Sequence, residues 1–105
     1  MVQAGEHIQC LDLFQIASSP GTGKPFCDCA ILLEIWDTGG LLQTNVAIPC
    51  GAEISIPSIG GGIQAKVVSC QQDDFGYMVE ILVCDQEWFP EVYTPPYVLH
   101  DRLES

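Results

Sequence analysis

At 105 residues the chain is long enough for one packed core and too short for two independent ones. Fourteen acidic residues against three basic ones give a net charge of -11, which leaves no cationic footprint for nucleic acid and disfavours an anionic lipid surface. Hydrophobic residues at 48% exclude disorder of the whole chain.

The acidic excess reads as a solvated surface that keeps the protein soluble; its sharper use is a docking face for a partner protein with a basic surface. Residues 1–7 carry neither the basic nor the apolar stretch of an export signal. No apolar run approaches the roughly 18 residues of a membrane span. These features predict a cytoplasmic location, with the six cysteines as reduced thiols.

In chain order, residues 8–17 mix apolar and polar positions with partial alternation and predict a strand. Residues 18–25, rich in Ser, Pro and Gly, predict a loop. Residues 26–36 predict a second strand. Its core face is expected to hold Cys27, Cys29, Ile31, Leu33 and Ile35, with Asp28, Ala30, Leu32, Glu34 and Trp36 on the other face. Asp37-Thr38-Gly39-Gly40 predicts a turn, residues 41–47 an extended run, Pro49-Cys50-Gly51 another turn and residues 53–57 a short strand. A flexible turn at Gly60-Gly61-Gly62 precedes a strand over residues 63–70, a polar hairpin loop over 71–76 and a strand over 77–84. Short strands between Gly and Pro turns, with no helical periodicity before residue 84, predict an all-β fold, a small antiparallel barrel. The tail, residues 85–105, carries Trp88, Phe89, Tyr93 and Tyr97 among Pro90, Pro95 and Pro96. Those prolines exclude a regular helix and predict an extended segment that lies over the barrel. One domain over residues 1–105 is expected, with its core in 8–84.

The order and spacing of several segments resemble the PilZ family over roughly residues 8–99. Glu34-Ile35-Trp36-Asp37-Thr38-Gly39-Gly40 stands where family members carry Asp/Asn-x-Ser-x-x-Gly. Pro49-Cys50-Gly51-Ala52-Glu53-Ile54 is similar to the next proline–glycine turn and short strand. Ala65-Lys66-Val67-Val68, followed by Gly76-Tyr77-Met78-Val79, looks like the closing hairpin. The resemblance implies a six-stranded barrel and, in typical members, binding of the bacterial signal cyclic di-GMP. An Arg-x-x-x-Arg clamps its phosphates and stacks on guanine, while the second motif contacts the bases from the barrel surface. The chain departs from both halves. No arginine precedes Arg102, Glu34 replaces Asp/Asn, Trp36 replaces Ser, and only Gly39 matches. Without cations a dianionic ligand beside carboxylates is unfavourable by several kcal/mol. Glu34, Trp36 and Gly39 are therefore the candidate ligand-motif positions of a degenerate PilZ-like domain. It is expected to be non-catalytic, without a cofactor, and to act through a protein partner. A cyclic di-GMP receptor with an atypical site is the alternative.

Other constellations have duller readings. Asp37-Thr38-Gly39 is also the tripeptide of dimeric retroviral-type aspartic proteases, where two chains each supply a carboxylate. The supporting apolar-apolar-Gly segment has no counterpart in Tyr97-Val98-Leu99-His100, and Asp-Thr-Gly is ordinary turn chemistry. Cys27-x-Cys29 lacks zinc spacing and a second ligand pair, since His7 and His100 are isolated, so the two cysteines are expected in the core. Asp73-Asp74 reads as a solvated turn rather than a calcium loop.

Overall fold

Apolar residues at every second position, broken by glycine and proline, produce strands throughout the computed structural model, which describes residues 7–18, 27–56, 62–84, 87–89, 92–93 and 95–98. They are β1 (Ile8–Ser18), β2 (Cys27–Trp36), β3 (Gly39–Thr44), β4 (Glu53–Ile56), β5 (Ile63–Asp73), β6 (Gly76–Val83) and β7 (Tyr97–Val98). No helix occurs among the described residues. The strand order is β2-β3-β6-β5-β4-β1-β7, and β1 pairs again with β2, so six antiparallel strands close into a ring. The inward face holds Phe14, Ile16, Leu32, Ile35, Leu42, Ile54, Ile81 and their neighbours in one apolar core.

The closure is shared along one edge of β1. Ala17 pairs with Ser55 of β4, whereas Cys10 and Leu11 pair with Val98 and Tyr97 of β7. Pro95 and Pro96 have no N–H to donate, which ends that ladder at Tyr97.

Three expectations need correction. Cys27 and Cys29 are exposed, not in the core; the buried residues of β2 are Ala30 and Leu32, then Ile35 and Trp36. The register of β2 against β3 shifts between Leu32 and Glu34, so Leu33 is a bulge and Ile35 points inward although Ile31 does not. A regular alternation cannot be carried through that point. The expected turn over Gly39 and Gly40 is confined to Asp37 and Thr38, with both glycines in β3. The hairpin loop over 71–76 also shrinks to Asp74 and Phe75, because Gln71–Asp73 continue the ladder opposite Tyr77 and Met78 beyond the core. Gly76 closes this tight turn at a φ of 137°, and a Cβ there would strike the Thr44 carbonyl. Residues 57–61, with most of the expected Gly60-Gly61-Gly62 turn, lie outside the described residues.

The tail supplies core material. Trp88 is fully buried and Phe89 nearly so, while Tyr93 packs against the core; Tyr97 is 66% exposed. The expectation that all the tail aromatics cover the core therefore holds for three of them and fails for Tyr97; Leu99 lies outside the described residues. Trp88 Nε1 donates to the carbonyls of Trp36 (3.1 Å) and Gly39 (3.0 Å), and its backbone N–H donates to the Asp37 carbonyl (2.9 Å). The tail is thus bonded to the β2–β3 turn. Trp88→Ala is expected to lower the unfolding free energy by about 3–5 kcal/mol, and Trp88→Phe, which keeps most of the ring but removes the buried indole donor, by about 1–3 kcal/mol. Urea unfolding followed by circular dichroism measures both. Midpoints within error of the parent protein would show that the tail adds nothing to the core.

Candidate functional site

Glu34, Trp36 and Gly39 come together at one end of the ring. Ile8 pairs with Ile35, so His7, one residue earlier, stands opposite Trp36, and Trp36 in turn pairs with Gly39. Glu34 and Trp36, two residues apart, share the face opposite Ile35. Trp36 is buried yet stands outside the core cluster. Its burial comes from its neighbours on the outer side: the His7 ring stacks on it at 3.9 Å with a 10° interplanar angle. Gly39 makes room from the other side. A Cβ there would collide with the Ile81 carbonyl and lie 2.9 Å from Trp36 Nε1. Gly40, facing inward, would bring a Cβ to 3.4 Å from the Trp88 ring. Gly39 thus lets the Trp36 indole lie against the hairpin, while at Gly40 the tight neighbours are the Glu34 carbonyl and Leu32, 3.0 Å each, with Trp88 at ordinary contact distance.

His7 Nδ1 is 3.3 Å from Glu34 Oε1. The pair is solvent-exposed, with side-chain exposures of 54% and 31%, so it adds at most about 1 kcal/mol. The stack with Trp36 fixes the imidazole more firmly than the carboxylate does. Following the ladder outward from Gly39 leads to Leu82 and then Lys66, two strand spacings or roughly 10 Å away. Lys66 itself pairs with Glu53, and Leu41 next to the site pairs with Glu80. Lys66 is the one Lys or Arg among the described residues. The site therefore offers a carboxylate, an imidazole and a covered indole, with no guanidinium. Among the described residues no group of three or more His, Cys, Asp or Glu side chains is placed to hold a metal ion. All six cysteines are unpaired thiols.

Asp37 and Thr38 form the turn itself. Their carbonyls accept the N–H groups of Trp88 (2.9 Å) and Val83 (2.7 Å), so the Asp-Thr-Gly segment is tied to β6 and to the tail.

A second polar group was not expected from the sequence. Cys10, Asp12, Phe14 and Ile16 occupy one face of β1, the inner one. Asp12 Oδ1 accepts the Leu13 N–H (2.8 Å), and its Oδ2 accepts the Tyr93 hydroxyl. Tyr93 stacks on Trp88 (5.2 Å) and meets Phe14 edge-on (6.5 Å). The signal was present, since a carboxylate in the run Cys10-x-Asp12-x-Phe14-x-Ile16 needs a buried donor, but its donor lies 81 residues away.

Compared with known proteins, the chain matches no family model, no curated protein and no solved structure.

Burial pushes the Cys10 thiol up to about 12, with the Asp12 and Glu34 carboxylates adding to it. Burial, then the hydrogen bond to Asp12, also raises Tyr93. The unfolded thiol ionises near its ordinary value of 9.0, the folded one only near 12. Across that window the unfolded chain binds fewer protons, so stability is fully present below about pH 9 and falls as pH rises. Tyr93 contributes in the same direction at higher pH. Urea midpoints of the parent protein are expected to drop between about pH 9 and about pH 12, and those of Cys10→Ala to drop less. Equal slopes would contradict a buried, neutral Cys10.

Proposed function

We propose that the chain is a non-catalytic regulatory domain that acts by binding another protein, built as a PilZ-like barrel whose ligand-motif positions serve internal packing. The observation that carries this reading is the covered indole of Trp36. At the position where a ligand-binding surface needs a small polar side chain, the chain places a ring already occupied by His7 on one side and Gly39 on the other. The neighbouring Glu34 and Glu80 carboxylates repel a dianionic nucleotide, and Lys66 stands two strands away, opposite Glu53. Cyclic di-GMP is accordingly not a ligand of the protein. Six unpaired thiols suit a reducing, cytoplasmic setting. The strong negative charge favours a partner with a basic surface and speeds its approach.

Two measurements on the full chain test the reading. Calorimetric titration with cyclic di-GMP is expected to give no saturable heat at tens of micromolar ligand, and cross-linking in a lysate of the source cells is expected to give a salt-sensitive adduct with a basic protein. Saturable low-micromolar nucleotide binding, or a chain that stays free of any adduct, would contradict it.

A further inference from the structure

We infer that the outer face of β1 and β2 is a docking groove for a short basic, amphipathic helix of a partner protein; the inference rests on the protein-binding role proposed above. Two depressions, of about 390 and 330 Å³, adjoin on this face and share Leu13 and Ile31 as a common floor. Leu13 pairs with Ile31 across the strands, so the two side chains stand side by side. Leu11 and Tyr97 wall one end, and Phe75 at the tip of the β5–β6 hairpin walls the other. Leu13 is 65%, Tyr97 66% and Phe75 81% exposed, an unusual concentration of large apolar side chains facing water in a chain this small. Nothing in the packing of the ring requires them there. Gln15 and Gln43 occupy neighbouring outward positions and show that polar residues fit this surface.

Charge selects the occupant. Asp73 and Asp74 flank Phe75 at one end, while the Asp12 carboxylate at the other is engaged by Tyr93 and Leu13 and adds no free charge to the rim. Lys66, the one Lys or Arg among the described residues, lies on β5, two strands from β1 and three from β2 around the ring. A second copy would bring two chains of charge -11 together, and an anionic membrane would be repelled as well. A basic protein segment with apolar anchors satisfies both the floor and the rim.

Geometry selects its conformation. The groove runs across the strands, from β7 over β1 and β2 to the end of β3, three strand spacings or roughly 14 Å. Its floor is side chains rather than a sheet edge, so an extended peptide would find no backbone ladder there. A helix satisfies its own backbone, and about 10 residues span that length with a stripe at i, i+3 or i+4, and i+7.

The test uses a synthetic peptide of about 14 residues, with leucines in that stripe and lysines elsewhere, titrated into the isotope-labelled full chain and followed by amide NMR. A scrambled peptide of the same composition and one with glutamate in place of lysine serve as controls. Expected are shifts confined to Leu11, Leu13, Ile31, Phe75 and Tyr97, and at least about ten-fold weaker binding by Leu13→Ser and by Phe75→Ser at about 0.15 M salt. Val68→Ser, an exposed apolar position on β5, should bind within about two-fold of the parent. Equal binding of the scrambled or the glutamate peptide, shifts spread over the acidic surface, or no effect of Leu13→Ser would overturn the groove. A cellular partner retained equally by the parent and Leu13→Ser would overturn it while leaving the protein-binding role standing. Saturable cyclic di-GMP binding would count against that role and not against the groove.

Discussion

The indole N–H of Trp88 is shared between two carbonyls, those of Trp36 and Gly39, which flank the β2–β3 turn. Trp36 and Gly39 face each other across a turn of two residues, and the buried indole donor lies against both carbonyls. A buried indole N–H without an acceptor is costly, so these two carbonyls hold Trp88 in place. The tail docks through this contact, and in doing so brings its own aromatic surface into the core. Trp88 then positions Tyr93, Tyr93 engages Asp12, and β7 finds the free edge of β1 next to Cys10. One side chain thereby couples the C-terminal segment to three strands.

The candidate site lies at the same turn. Gly39 cannot gain a side chain without displacing the Ile81 carbonyl and the Trp36 indole, and at Gly40 the Glu34 carbonyl and Leu32 would have to give way. Glu34, Trp36 and Gly39 therefore behave as parts of a packed hairpin end. Leu11, Leu13 and Tyr97, large apolar side chains that face water, lie elsewhere, on β1 and β7.

Much of this was legible in the sequence. Glycine and proline punctuation located all of the first six strands, and the closeness of Glu34, Trp36 and Gly39 followed from their place around one turn. What was not legible depends on register. The bulge at Leu33 exchanges the faces of β2, which moves Cys27 and Cys29 from the core to the surface, and no local residue preference announces it. The partners of Trp36 come from 29 positions earlier, at His7, and 52 later, at Trp88, so only the closed ring brings them together. Gln71 to Asp73 looked like loop because they are polar; they are strand because the hairpin continues beyond the core, where nothing apolar is needed.

The account depends on Trp88 remaining docked whenever the ring is folded. Hydrogen exchange of its indole N–H, followed by NMR at several denaturant concentrations, measures this directly. The account predicts that this proton opens only with the core amides of β3 and β6, at close to the global unfolding free energy. Exchange at nearly the rate of a free indole, while those amides stay protected, would show that the tail undocks from an intact ring and would contradict it.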